Sequence, residues 1–379
     1  MSRWHLVICS LLHHWRINLA VALGVAAATA VLTGALVVGD SVRGSLRQLT
    51  LDRLGRIDDV LVVDRFVRVE LAEEVAAASA FSQYYSAAVP AVLFPQGVVE
   101  NPTGSEVARA AGVFVVGCDE SFWQQGGQHA PPKQLPSGDE IILNTELADE
   151  IGAQVGDLVT LRLTRPHQVP GDSTFGRRDN LVRGVPQLRV VDIIPTAGLG
   201  RFSLQSSQNL PRNAYVATEL LQQALGQEQK INAILAASSE LAPRGRAEAE
   251  QANEELNAAL QPKLVDYGFQ LIHVTSTYID PQTDEAKTAF EYFNLTTDRM
   301  VFTADAARTI QNALAARHVQ PAMTYLANAI SVSGAADDAV IPYSTITALE
   351  NSPKLGPLID AAGNAVELSD GEIALNSWA

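Results

Sequence analysis

The chain holds 379 residues, 47% of them hydrophobic, and carries a formal net charge of −15. That charge argues against an electropositive nucleic-acid surface. The length exceeds what one ordinary core organises, so two subdomains are expected behind the N-terminal region. Cys9 and Cys118 lie on opposite sides of the apolar segment described next, which argues against an intrachain disulfide or a thiolate metal site.

Residues 1–16 read as an interfacial amphipathic helix. Trp4, Val7, Ile8, Leu11, Leu12 and Trp15 recur at helical spacing along one stripe, with His5, Ser10, His13 and His14 mostly off it. Trp4 and Trp15, near its two ends, are the expected anchors, because indole rings settle in the headgroup layer. An elbow is expected at Arg16 and Asn18.

Residues 17–39 follow as the transmembrane helix, 23 residues from Ile17 to Gly39 without a charge. Such a helix spans about 35 Å, enough for a hydrocarbon core of about 30 Å. The apolar core of a signal peptide is shorter, about 7–15 residues ending at small side chains. Here Leu32 to Val38 carry the run past the small residues Ala26, Ala27 and Ala28. Ala22, Ala26, Ala30 and Gly34 repeat every four residues, a ladder that lets another membrane helix approach closely. The general abundance of alanine is the other source of such a ladder. Arg3 and Arg16 precede the span, whereas Arg43, Arg47, Arg53 and Arg56 follow it. By the positive-inside rule, that count alone places the large domain in the cytoplasm.

Residues 40–58 form a juxtamembrane stalk, and residues 59–335 a mixed α+β body. Val60–Val69, Val113–Gly117, Glu140–Leu143, Leu158–Leu163, Leu188–Ile194 and Phe269–Val274 have strand patterns. Glu70–Ala80, the charged segment bearing Ala249, Ala252, Leu256 and Leu260 before Pro262, and Ala304–Arg317 have helical ones. Loops rich in Gly, Pro and Ser lie near 124–138 and 165–185. The fold class is α+β: an interfacial helix and one transmembrane helix, then a mixed domain of two subdomains without βαβ rhythm.

Residues 336–379 contain an echo. Glu140-Ile141-Ile142-Leu143-Asn144-Thr145 reappears as Glu372-Ile373-Ala374-Leu375-Asn376-Ser377, each behind a turn of Ser, Gly and Asp. The first copy continues into a helix, Gly156-Asp157 and a closing strand. The second lacks these parts, so its strand would have no partner, and the unit reads as the start of a truncated repeat.

No catalytic, cofactor-binding or metal-binding residue is assigned. Gly39-Asp40-Ser41-Val42 resembles the nucleophile block of the GDS-type esterases, but those need a later Asp-x-x-His, and Gln270 and Ala315 stand three before His273 and His318. The histidines have no metal-ligand spacing, and no GxxxxGK[ST] phosphate loop is present.

His13-His14-Trp15-Arg16-Ile17-Asn18-Leu19-Ala20 together with Val31 to Leu46 resembles the start of FtsX/MacB-type ABC transporter permeases. Glu140 to Leu163, with its Leu-Asn, Leu-Ala and Gly-Asp elements, is similar to the periplasmic core domain of that superfamily. Asn213 to Leu225 with Ile231 to Leu235 resembles the strand–helix–strand closing its small barrel-like subdomain. The resemblance implies an inner-membrane permease in contact with lipid, its large domain extracytoplasmic, against the arginine count. It also implies further spans, a permease dimer partner and a cytoplasmic ABC ATPase that drives transport or force transmission, with no nucleic acid involved. This chain departs from the pattern because those later spans are missing. The expected function is thus a permease subunit or its N-terminal fragment. The alternative is an autonomous membrane-anchored binding or adaptor domain. The gene sequence past Ala379 separates them: family-like spans there, in any frame, favour the permease, and a clean stop with unrelated genes favours the adaptor.

Overall fold

The computed structural model describes residues 3–103, 107–127, 129–164, 182–205, 209–238, 244–280, 283–299, 301–332, 340–349, 355 and 358–376. The chain divides into two compact units; among these residues the first ends at Pro262 and the second begins at Lys263. The architecture is the expected one of a long apolar helix leading into a sheet-rich α+β body.

The first unit opens with α1 (Arg3–His13) and α2 (Trp15–Leu54). The break falls at His14 (φ −101°, ψ 27°), before the expected elbow at Arg16 and Asn18. Asn18 still marks it, because its Nδ2 donates to the Leu11 carbonyl across the break at 3.3 Å. The 40 residues of α2 span about 60 Å. The uncharged run and most of the stalk are therefore one helix. No proline interrupts it, and Thr33 and Thr50 return their hydroxyls to carbonyls one turn back, at 2.7 and 3.0 Å.

The body of this unit runs β1 (Ile57–Arg68), α3 (Glu70–Ala76), α4 (Phe81–Tyr84), β2 (Ala87–Asn101), β3 (Ala108–Gly117), α5 (Glu120–Trp123), β4 (Glu140–Asn144), α6 (Thr145–Ile151), β5 (Leu158–Thr164), β6 (Val182–Ile194), β7 (Asn213–Val216), α7 (Thr218–Leu225), β8 (Lys230–Ala237) and α8 (Arg246–Ala259). Each strand expected here from the sequence lies on an observed one. Of the expected loop at 165–185, residues 165–181 lie outside the described residues, and 182–185 belong to β6. The sequence reading did not anticipate β2, the longest strand.

The strand order is β1-β8-β2-β3-β7-β4-β6-β5, and β5 pairs back onto β2. Six strands, β2 to β5 in that order, thus close a ring, with β8 and β1 added on the outer half of β2. Closure removes two sheet edges that would otherwise be exposed to pairing. β2 serves both parts because it bends: Ala87–Ala91 pair with β8 and Val92–Asn101 with β3, with a register shift at Gly97. A Cβ on Gly97 would stand 2.5 Å from Val115 Cγ2, so only glycine lets the two strands meet there. The pairs β3–β7 and β4–β6 are parallel and the other ring pairs antiparallel, which makes the sheet mixed.

Side chains alternate between two cores, as the two-residue period of a strand dictates. Ile141 and Leu143, Ala214 and Val216 join one cluster with Leu161 and Leu188. Ile142 and Tyr215 join the opposite one with Phe122, Trp123 and Phe202. Helix α6 begins at a real cap: Asn144 Oδ1 accepts from the Leu147 N–H at 3.1 Å, and Gly152 closes the helix in the left-handed region.

The second unit holds a hairpin of β9 (Phe269–Ile279) and β10 (Ala286–Thr297), helix α9 (Ala304–Ala313), and a hairpin of β11 (Ala322–Ser331) and β12 (Val340–Leu349). The Thr303 hydroxyl caps α9 by accepting from the Ala306 N–H at 3.3 Å. Helix α9 stops four residues short of the expected Arg317. The echo is half realised: the Ser369 N–H donates to Glu372 Oε2 at 2.8 Å, as the Ser137 N–H does to Glu140 Oε2 at 3.0 Å. Glu140–Asn144 is then a strand held between β6 and β7, whereas Glu372–Asn376 is irregular and pairs with no strand among the described residues. Ser377 and Ala379 lie outside the described residues.

Leu161 is fully buried in the first core. Leu161→Ala is expected to cost about 2–5 kcal/mol, read as a lower denaturant midpoint at unchanged slope.

Candidate functional site

The helix and the ring meet at the last turn of α2, where three loops and the start of β1 converge. Gly55 ends the helix at φ 60°, ψ −120°, and its N–H returns to the Leu51 carbonyl at 3.0 Å. Side-chain-bearing residues rarely adopt that conformation, and a Cβ on Gly55 would lie 2.1 Å from the Gln125 carbonyl oxygen. The next residue is held on both sides: the Arg56 N–H donates to the Gln125 carbonyl at 3.0 Å, and its carbonyl accepts from the Ser238 N–H at 2.9 Å. Ile57 then enters the core at 2% exposure.

One turn back, Asp52 reaches two loops. Its Oδ1 lies 2.6 Å from His129 Nε2, and its Oδ2 accepts the Gly198 N–H at 3.1 Å. Gly198 has φ +53°, and a Cβ there would lie 2.4 Å from the His129 ring. The side chains of the Asp52–His129 pair are about 40% exposed, at 37% and 43%. Such a pair contributes about 1 kcal/mol or less, so the backbone contacts and the two tightly fitted glycines fix the joint more firmly. Arg53 adds a further tie, with Nη1 donating to the Gln205 carbonyl at 2.8 Å.

The described residues 198–205, which receive Asp52 and Arg53, and 209–213 are themselves held by buried amides. Asn144 Nδ2 donates to the carbonyls of Gly200 (3.2 Å) and Pro211 (2.7 Å), and its Oδ1 accepts the Asn213 N–H at 3.1 Å. Asn213 Nδ2 donates to the Phe202 carbonyl and to the Tyr215 hydroxyl, both at 2.8 Å, and that hydroxyl donates to the Leu199 carbonyl. All three side chains are fully buried. A line of contacts thus runs from β4 and β7 through these residues to the end of α2.

The residues singled out from the sequence lie at the other end of the helix. Trp4 and Trp15 are 77% and 55% exposed, with the Arg16 guanidinium 5.6 Å from the Trp15 ring centre. Ala22, Ala26, Ala30 and Gly34 are exposed along α2, and nothing lies within 4 Å of where a Cβ on Gly34 would be. Gly39 to Val42 are exposed residues inside the helix, not a turn that would present Ser41. Cys9 is exposed and Cys118 buried, both unpaired. Asn144 was noted as part of the echo, but its capping role was missed although Asn before Thr-Glu-Leu is a helix-cap signal. Gln125 and Gly198 carried no signal, because their partners are distant in sequence.

The chain is similar to the periplasmic region of MacB from Actinobacillus actinomycetemcomitans, at 13% identity over 69% of this chain and 92% of that one, with a TM-score of 0.31. It is also similar to the extracellular domain of the noncanonic ABC-type transporter YknZ from Gram-positive bacteria, at 8% identity over 53% of this chain and 90% of that one, with a TM-score of 0.31. No family model and no curated protein matches the sequence.

Two measurements probe the joint and its support. Gly55→Ala is expected to remove hydrogen-exchange protection at the Arg56 and Gly198 amides while leaving that of β4 and β7 in place; unchanged protection at both amides would refute the fit described. Burial pushes the Tyr215 hydroxyl well above the ordinary tyrosine value of 10.0, against the opposing hydrogen bond from Asn213. A raised folded-state value makes its contribution complete below about pH 10 and lost as pH rises above it. The unfolding midpoint should therefore fall above about pH 10, and fall less steeply in Tyr215→Phe.

Proposed function

We propose that this chain is a component of an FtsX/MacB-type ABC permease, supplying a first membrane span and an extracytoplasmic domain that move together. The observation that carries the reading is the continuity of α2: one 40-residue helix contains the whole uncharged run and ends locked into the ring. A flexible tether would satisfy a domain that only needs holding at a membrane. A rigid helix grasped by three loops transmits displacement as well. The resemblance of His13 to Ala20 and Val31 to Leu46 to the start of such permeases points the same way.

In this reading α1 lies in the interface with Trp4 and Trp15 as anchors, and the Ala22–Gly34 ladder faces a helix of another span or of a permease partner. A cytoplasmic ABC ATPase supplies the energy. The inner membrane holds the chain, with the ring outside the cytoplasm despite the arginines at 43, 47, 53 and 56.

A topology reporter tests this directly. Alkaline phosphatase fused after Ala379 should be active, and a reporter that works only in the cytoplasm should be silent. The reverse pattern overturns the extracytoplasmic assignment and vindicates the arginine count.

A further inference from the structure

Beside the joint, within the first unit, lies a cleft of about 810 Å³, within the range of small-molecule sites, about 300–1,000 Å³. Its wall is largely apolar and includes Val62, Phe66, Leu93, Phe94, Phe114 and Leu225. Arg53 and Arg201 line the same space. Arg53 is only 8% exposed, its Nη1 is used on the Gln205 carbonyl, and its buried Nε meets no acceptor among the described residues. Arg201, half-buried, is near enough to act on the charges of both Asp52 and Arg53, and towards Arg53 that action is repulsive. A buried guanidinium with an unmet N–H beside a second cation is costly unless an acceptor joins it.

Arg212 and Asn232, two other polar groups at the cleft, are already engaged. Arg212 pairs with Glu150 and donates to the Ala111 carbonyl at 2.7 Å. Asn232 clamps Leu93 through both backbone groups at 2.8 Å. Asp64 is the one carboxylate among the described lining residues. Asp64 is exposed, and Arg53 and Arg201 outnumber it, so the charge left over is cationic and sits against aromatic surface.

We propose that this cleft binds a free acidic amphiphile, with a carboxylate or phosphate head on Arg53 and Arg201 and an apolar body on Phe66, Phe94 and Phe114. Planar guanidinium groups match the oxygens of either head. Inorganic phosphate would leave the aromatic wall unused, and a neutral apolar ligand would leave the cations unmet. Arg53 lies 14 residues past Gly39 along α2, about 21 Å beyond the uncharged run. A lipid still seated in the bilayer does not reach it, so the ligand arrives as a free molecule. Because Arg53 belongs to the last turn of α2, occupancy bears on the joint itself.

The test uses the full chain in phosphatidylcholine nanodiscs, titrated calorimetrically with hexyl phosphate against empty discs. Saturable binding is expected, at least tenfold tighter than that of hexanol or inorganic phosphate. Arg53→Met and Arg201→Gln should each weaken it at least tenfold; the second change is at a half-buried position, so the test survives if Arg53→Met fails to fold. Heat no greater than with empty discs, inorganic phosphate binding as tightly as hexyl phosphate, or undiminished binding in Arg201→Gln would overturn the proposal. Loss of binding on adding phosphatidic acid to the discs would overturn the free-ligand source, since bilayer lipid would then be competing for the cleft.

Discussion

The carboxamide of Asn144 is the constraint on which the joint depends. A buried amide has a fixed number of donors and acceptors, and each left unmet costs about 1–3 kcal/mol. Asn144 meets two carbonyls and two N–H groups, and in doing so holds Gly200, Pro211 and Asn213 to the end of β4. The same oxygen that starts α6 also receives β7. Local helix capping and long-range docking are therefore one interaction, and they cannot be lost separately.

Above that amide the forces change character. Asn213 and Tyr215 work in a dry environment where a hydrogen bond is strong and a missing one is expensive. The Asp52–His129 contact lies nearer solvent, where an ion pair adds little. The stiffness of the joint thus comes from shape at Gly55 and Gly198 and from backbone pairing around Arg56. A surface charge change should disturb it less than a single added methyl group.

Much of the first unit was legible because strand period and helix caps are local signals. β4, β5 and β6 carry compact apolar runs and fell where the strand pattern placed them, whereas β7 and β8 were expected only from the family resemblance. β2 was hidden because Pro90, Pro95 and Gly97 are breakers, yet Pro95 and Gly97 sit where the register shifts and Pro90 pairs in register with Ile234 of β8. The helical break was placed two to four residues too late, since Asn18 was taken for the bend and instead reaches back to Leu11 across it. The joint was invisible for another reason: Asp52, Gln125 and Gly198 are ordinary residues whose meaning appears only when the chain has folded them together. In the second unit the Glu372 turn formed as the echo implied, but a strand needs neighbours as well as a sequence.

A helix that runs unbroken from the uncharged segment to the ring also fixes an angle. Each residue in an α-helix turns the axis by about 100° and advances it by about 1.5 Å. With the lower end clamped at Gly55, the azimuth of the Ala22–Gly34 face is indexed to the ring by the number of residues between them. The stalk therefore acts as a gear of fixed tooth count. One residue added between Gly39 and Leu49 would keep every contact at the joint and every side chain of the uncharged run, yet would turn the small-residue face through more than a quarter of a circle.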